Sequence, residues 1–540
     1  MRGVCFAPLA LMLCFASDAW IRPVVTVASS TVLDDQQCTF ASKTKTCEPA
    51  HACAFQYRFG DLSLDQSCRV VVAQVARVPQ QLHLAFASAK TGSGMTISWS
   101  TYAKVDDPKV WLGSSQESVE SVKDDNVDIQ VVSYYSDRHY SLYTYHATLS
   151  GLTANTRYFF KTGCGSCDDT ESSAISSFTT ARGLPTTASS DAGGVINGTN
   201  ATNESDAFEV LVYGDFGLDE NAHATSAYLA NLTRPLAFIY HIGDISYADN
   251  AFLSLNDVTG FHYEETYNRW MNLLTPIMSK VPYMVLVGNH EAECHSPLCF
   301  LSASKKEQLG NYSAYNVRFK MPSTESGGVK NMWYSFDYAS VHFTSISSET
   351  DFPDAPENSF IGENLNGHFG DQLQWLEADL KAAHANRDAV PWLIVGMHRA
   401  MYTLNAVDAD GNPTGVSSAL QRAFEALFLK YNVDVVVAGH VHAYERHFPI
   451  ANGKKIADGV SSDGKTYTAP KAPVYIVTGA AGNSEGHDQF HNASQVEWVA
   501  ASDRAQYGIS SLKASRGSLT FTLIGTHDDV VYDEFVITKS

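Results

Sequence analysis

Glu209-Val210-Leu211-Val212-Tyr213-Gly214-Asp215 is an apolar run closed by a glycine and a carboxylate, and the same design returns four more times. The returns are Ala237 to Gly243-Asp244, Tyr283 to Gly288-Asn289-His290, Pro391 to Gly396-Met397-His398, and Val433 to Gly439-His440. Runs this rich in Val and Ile fit strands covered on both faces. Between some of them lie helical patterns. Asp371 to His384 sets Leu373, Leu376, Leu380 and Ala383 on one face, and Ser417 to Tyr431 does so with Leu420, Phe424 and Phe428. Strands alternating with helices imply a layered α/β domain with much of its sheet parallel. In such sheets ligands gather beyond the carboxyl ends of the strands. Each glycine unit falls at such an end, where glycine allows a sharp turn and keeps the space above the strand open.

Collected, the strand-end residues are Asp215, Asp244, Tyr247, Asn289, His290, His398, His440 and His442. One histidine in an apolar run is usually structural, and Gly-Asp pairs are common turns. Five strand ends all offering oxygen or imidazole are a different matter. Carboxylate, amide oxygen, phenolate and imidazole together suit first-row metals such as Fe, Mn and Zn. His440-Val441-His442 puts two imidazoles within reach of a metal pair.

Outward from this core the texture changes. Gln81 to Phe86, Met95 to Ser100 and Tyr143 to Leu149 are short alternating runs separated by turn residues, which fits a β-sandwich. Residues 182–207 are rich in Ser, Thr, Gly and Asn and read as a solvated linker. Residues 20–77 carry Cys38, Cys47, Cys53 and Cys68 and little periodicity, as a small cysteine-rich module of unassigned role would. Residues 1–19 have the order of a signal peptide: Arg2, an apolar stretch from Val4 to Phe15, and Ser17-Asp18-Ala19. Without that segment eight cysteines remain, the others being Cys164, Cys167, Cys294 and Cys299. Their grouping suits local disulfides in an oxidising compartment. Acceptors for N-glycosylation occur at Asn197, Asn200, Asn203, Asn231, Asn311 and Asn492. Secretion is the expected destination, with a vacuolar or lysosome-like compartment as a variant of it.

A formal charge of -21 argues against nucleic acid as a partner, and no run after the signal is long enough to span a bilayer. An acidic surface also repels anionic substrates, so a phosphorylated substrate would need a strong local cation. No conspicuous Lys/Arg cluster supplies one. A metal would.

The blocks Gly214-Asp215-Phe216-Gly217, Gly243-Asp244-Ile245-Ser246-Tyr247, Gly288-Asn289-His290-Glu291, Val395-Gly396-Met397-His398 and Gly439-His440-Val441-His442 occur in that order. In this they resemble the purple acid phosphatases, a family of metallophosphoesterases, as do Ala443 to Arg446 and the ending from Tyr507 to Val536. Tyr247 discriminates, because most metallophosphoesterases lack a tyrosine three positions after the second aspartate. The resemblance spans about residues 78–540. It implies a fibronectin type III-like β-sandwich over 78–181, whose stretch Gly151 to Phe160 looks like that domain's late-strand signature. It also implies an α/β metallophosphoesterase core of mixed sheets flanked by helices over 208–540, with the family's C-terminal segment from about 470.

By the same resemblance Asp215, Tyr247 and His442 would hold Fe(III), and Asn289, His398 and His440 a divalent ion (Zn, Mn or Fe). Asp244 would bridge the two. Activated water would attack phosphorus directly, and no protein nucleophile is needed. His290 would serve as general acid or, alternatively, as a histidine orienting a ligand. The activity implied is hydrolysis of phosphate monoesters, in a family where homodimers are plausible. A phosphodiesterase on the same core and a secreted binding protein with a vestigial site are the competing expectations. Two departures stand out. Residues Thr403 to Thr414 lack the histidines that plant members carry there, and Ala400 replaces a usual proline. The turn Asp408 to Pro413 lacks what a calcium or phosphatase loop needs and reads as surface.

Overall fold

The apolar runs become strands because both of their faces are covered. The computed structural model describes residues 76–87, 92–121, 126–137, 140–183, 207–254, 261–357, 368–490 and 496–540. The signal segment, Cys38 to Cys68, the linker acceptors Asn197, Asn200 and Asn203, and Asn492 lie outside the described residues.

The N-terminal part is a sandwich of two four-stranded antiparallel sheets. One is ordered Gln80–Phe86, Met95–Thr101, Tyr143–Leu149, Val127–Val132, and the other Glu120–Ser121, Pro108–Gly113, Arg157–Cys164, Ser176–Thr179. Trp99 and Tyr145 stack in its core with ring centroids 5.2 Å apart. The hydroxyl of Tyr158 accepts a hydrogen bond from the Thr153 amide at 3.0 Å, which ties the corner before the strand.

The catalytic part has two mixed sheets. The seven-stranded one runs Tyr283–Leu286, Phe238–Ile242, Phe208–Tyr213, Gly508–Ala514, Ser518–Gly525, Val531–Thr538, Thr466–Thr468. The eight-stranded one runs Tyr334–Tyr338, Val341–Ser345, Trp392–Met397, Val435–Ala438, Val474–Thr478, Tyr444–Ala451, Lys454–Lys455, with Val499–Asp503 also paired to Tyr444–Ala451. Across the space between sheets, Phe238 meets Phe343 at 5.1 Å and the Tyr240 hydroxyl meets Ser345 Oγ at 2.7 Å. Helices Gln372–Ala385 and Gly415–Lys430 bury Leu376, Leu380, Leu420, Phe424 and Phe428, as their periodicity requires. Asp371 caps the first, its carboxylate accepting from the Gln374 amide at 2.9 Å.

The helix Tyr263–Met278 has no counterpart in the sequence reading. It buries Tyr267, Trp270, Met271 and Leu274, but also Glu264 and Asn268, so its inner face is not purely apolar. Those polar groups face the sandwich, whose strand Gln80–Phe86 packs on this helix. Arg318, 1% exposed, donates to Glu264 at 3.0 Å, to Asn268 and Gln81 at 3.0 Å each, and to Tyr134 at 2.9 Å. Tyr134 and Tyr140 in turn donate to Glu264 at 2.5 and 2.6 Å. The two parts are thus joined by a buried ion pair whose hydrogen-bonding groups are shared between them.

Two buried histidines flank the same seam. Burial pushes His83 down to about 4 and His146 down to about 3. His146 accepts from Ser98 Oγ at 2.8 Å and donates to the Val317 carbonyl at 3.0 Å. Folded pKa values below the unfolded ~6.5 mean that this stability is complete above about pH 6.5 and is lost as pH falls towards the folded values. His146→Gln is expected to flatten the acid limb of the stability curve by a few kcal/mol, read as the urea midpoint from neutral pH down to about pH 4. An unchanged slope would show that His146 is not the titrating group.

Candidate metal centre

All five Gly-ligand units lie at the carboxyl ends of strands, three in one sheet and two in the other. Phe208–Tyr213, Phe238–Ile242 and Tyr283–Leu286 are mutually parallel, as are Trp392–Met397 and Val435–Ala438. Their ends therefore face one place from two sides. Asp215, Asp244, Tyr247 and His440 all take positive φ, at 63°, 50°, 53° and 68°. Side chains disfavour that region, and such strain collects at functional sites. The neighbouring glycines make room. A Cβ on Gly288 would stand 2.3 Å from Asp244 Oδ1, and one on Gly439 2.7 Å from Asp215 Oδ2.

The sequence-derived residues fall into two touching groups. In the first, the Tyr247 hydroxyl lies 3.2 Å from Asp215 Oδ1 and 3.1 Å from His442 Nε2, which is itself 3.4 Å from Asp215 Oδ1. In the second, His398 Nε2 lies 3.0 Å from Asp244 Oδ2 and 3.2 Å from Asn289 Oδ1. One ligand atom each from Asp244, His398 and His440 fall within 4.8 Å of one another. The groups are linked, since the His440 amide donates to Asp215 Oδ2 at 2.9 Å.

Electrostatics show what kind of ligand the cluster suits. Asp215 and Asp244 are 0% and 1% exposed, and two buried carboxylates need cations. Burial pushes Asp215 up. Burial also disfavours the Asp244 anion, but the charges of His398 and His290 outweigh it and hold that carboxyl below its ordinary range. Burial opposes a proton on His398, yet Asp244 and Asp215 prevail and push it up to about 9, so the two carboxylates strongly favour positive charge at this point. Burial, with Asp215 and Asp244 adding to it, pushes Tyr247 far up, so its phenolate forms only against a strong positive charge. The carboxylates, phenol, amide and imidazoles fit a pair of hard or borderline metal ions.

The supporting contacts were mostly missed by sequence reasoning. His398 Nδ1 donates to the Ile242 carbonyl at 3.0 Å and His442 Nδ1 to the Gly486 carbonyl at 3.0 Å, which leaves each Nε2 for the centre. Asp488 accepts from the His442 amide at 2.8 Å. Glu291 accepts from the amides of Gly288, Asp244 and Ile245 at 2.8–2.9 Å and so holds two ligand turns together. Asp249, fully buried, accepts from His290 Nδ1 at 2.8 Å. Its signal was a carboxylate two places beyond Tyr247. The His290 ring lies against that of Tyr247, centroids 4.1 Å apart and planes tilted by 36°, and turns Nε2 towards Asp244 Oδ2, 3.8 Å away. Burial lowers the His290 pKa, but Asp249 and Asp244 more than reverse this and raise it well above the ordinary value.

Two local disulfides, Cys164–Cys167 and Cys294–Cys299, pair as the cysteine grouping suggested. Asn231 and Asn311 are exposed, and Asp408 to Pro413 forms a turn closed by Asp408 accepting from the Asn412 amide at 2.9 Å.

Residues 79–180 match the purple acid phosphatase N-terminal domain, 208–444 the calcineurin-like phosphoesterases, and 472–534 the iron/zinc purple acid phosphatase-like C-terminal domain. The chain is 31% identical to acid phosphatase A of Cryphonectria parasitica over 78% of its length and 86% of that protein. It is 28% identical to an acid phosphatase of Aspergillus ficuum over 74% and 76%. A purple acid phosphatase from yellow lupin seeds has the same fold, with a TM-score of 0.62 at 21% identity over 86% of this chain and 75% of that one. By these matches the chain belongs to the purple acid phosphatases, phosphoric monoester hydrolases that work over a dinuclear metal site.

Proposed function

We propose that Asp215, Tyr247 and His442 hold Fe(III), that Asn289, His398 and His440 hold a divalent ion (Zn, Mn or Fe), and that Asp244 bridges them. The chain is then a secreted acid phosphatase for small phosphorylated substrates. One observation carries this reading: the phenol oxygen of Tyr247 sits within 3.2 Å of both a buried carboxylate and an imidazole nitrogen. Two anionic oxygens suit a trivalent ion, whereas the neutral amide of Asn289 suits a divalent one. A metal pair held by these residues would supply a water of lowered pKa and positive charge for phosphate oxygens.

The protein's own groups supply the rest. Glu291 fixes the turns that carry Asp244 and Asn289. Asp249 fixes the His290 ring so that Nε2–H faces the site, where it can protonate the leaving alkoxide. Proton delivery is worth about 10²–10⁴-fold, and it matters most where the leaving group is basic. His290→Ala is therefore expected to slow an alkyl phosphate by about 10²–10⁴-fold and para-nitrophenyl phosphate far less. Equal losses on both would assign His290 to orientation alone.

Secretion is supported by the charged-apolar-small order of residues 1–19, the exposed acceptors Asn231 and Asn311 and the paired cysteines. Among the described residues no helix is long and apolar enough to cross a membrane. A mobility shift on deglycosylation of material from the culture medium tests this.

The deciding experiment is metal analysis with a visible spectrum of the purified protein, beside Tyr247→Phe. The expected result is iron plus a second metal and a broad absorption band that Tyr247→Phe abolishes. Activity supported by Mn or Zn with no band and no iron would overturn the iron assignment.

A further inference from the structure

An open cleft of about 690 Å³ lies over the seam between the two parts. Ser133 and Tyr134 line it from the sandwich, and Gln308, Asn311 and Asn316 from the catalytic part. Bonds across the seam run beside it. The Ser136 amide donates to Gln308 Oε1 at 3.1 Å, and His146 donates to the carbonyl of Val317, another residue of the cleft. The lining suits a neutral ligand rich in hydroxyls. Lys330 and Glu307 offset one another in charge, the remaining polar groups are amides and hydroxyls, and Tyr134 adds an aromatic ring. A sugar presents hydroxyls at its rim and C–H groups on its face, so amides and a ring can meet both.

The chain carries its own sugar acceptor on the wall of this cleft. Asn311-Tyr312-Ser313 is a glycosylation sequence. Asn311 and Tyr312 take φ of 55° and 56° in succession, which leaves Asn311 exposed while Tyr312 is fully buried. The turn is pinned, since the Tyr312 amide donates to the Ala292 carbonyl at 2.9 Å and Ser313 Oγ to the Gly310 carbonyl at 2.6 Å. Asn231, also exposed, ends the helix Glu220–Ala230 and stands outside this cleft.

We propose that the first sugars of a glycan on Asn311 seat in this cleft and bridge the sandwich to the catalytic part. The proposal rests on the reading of the chain as secreted. In the transfer, Asn311 Nδ2 bonds to the anomeric carbon of a lipid-linked oligosaccharide diphosphate, and the lipid diphosphate leaves with the amide proton. Once attached, the sugar is held over the cleft at high effective concentration, so weak contacts suffice to seat it. The volume falls within the range of about 300–1,000 Å³ that takes small ligands. Contacts to Ser133 and Tyr134 on one side and to Gln308 and Asn316 on the other oppose separation of the two parts. The glycan thus acts on the seam that Arg318 holds from within.

The test uses the full protein recovered from culture medium. Glycopeptide mass spectrometry reads occupancy at Asn311 and Asn231. Both sites are then followed while the native protein is digested with an amidase that removes the whole glycan and leaves aspartate. Seating is expected to slow release at Asn311 about tenfold relative to Asn231, the effect of ~1.4 kcal/mol, and the difference should vanish after denaturation. Asn311→Asp, which matches the residue the amidase leaves, is expected to lower the unfolding midpoint by about 2–4 °C, the shift that one net hydrogen bond gives in a domain of this size. Trimming to a single sugar with an endoglycosidase should keep most of that stability without any substitution. Release at Asn311 as fast as at Asn231, with an unchanged midpoint, would overturn the proposal. An unmodified Asn311 beside a modified Asn231 would overturn it too, while leaving secretion intact. Secretory material modified at neither site would remove the glycosylation reading, and this inference with it.

Discussion

Asp244→Ala is expected to empty the centre and to lower kcat/KM by about 10³-fold or more, since metal stabilisation of transition-state charge is worth several kcal/mol and each ~1.4 kcal/mol is tenfold. The side chain has several tasks at once. Oδ2 meets His398 at 3.0 Å, and Oδ1 accepts from the His290 amide at 2.9 Å. Its backbone amide is held by Glu291 at 2.9 Å, so the turn itself outlives the substitution. Asp244→Asn keeps an acceptor for the His290 amide but removes the charge. It is expected to lose metal nearly as fully as alanine if charge is what matters. Metal analysis of both variants, with rates on an aryl phosphate, decides this. Two retained metals and activity within tenfold of wild type would sink the assignment of Asp244 as the shared ligand.

Arg318→Ala is expected to destabilise the protein by about 3–5 kcal/mol, the usual cost of stranding a buried charge. Glu264 would keep the two tyrosine donors but lose its cation while remaining 0% exposed. Gln81 and Tyr134, on the sandwich side, would each lose a bond to the guanidinium. The loss falls on the seam, so urea unfolding should develop a separate early transition for the sandwich. Arg318→Met combined with Glu264→Leu removes both charges and is expected to recover much of the loss, because a buried pair replaced by apolar groups is often near neutral. A single transition shifted by less than about 1 kcal/mol in Arg318→Ala would show that apolar contacts alone, such as Phe86 against Phe238, hold the seam.

The two predictions draw on different depths of information. The Asp244 cluster was legible because strand ends are marked by a local code: a Val- and Ile-rich run, a glycine, then a ligand. That code places the ligand residues at the carboxyl ends of the strands from local sequence alone. The helices Gln372–Ala385 and Gly415–Lys430 were legible for a similar reason, since leucines and phenylalanines recurring at a 3.6-residue period have few other uses. The helix Tyr263–Met278 was not read, although its apolar residues recur on one face; what its periodicity does not show is that Glu264 and Asn268 share the buried side. Their burial depends on partners far along the chain, Arg318 about fifty residues on and Tyr134 and Tyr140 in the sandwich.

By itself, then, the sequence determined the layered α/β core, the preceding sandwich, the family and the residues that gather at the centre, because each is written in short-range periodicity and block order. Only the tertiary structure decided that the five strands divide three and two between facing sheets. It alone decided that Asp249 orients His290, that Glu291 ties two turns, and that Asn311 lines a cleft over the seam between the two parts. Those relations join residues tens to hundreds of positions apart, and contact between distant segments is set by packing, which leaves no local pattern to read.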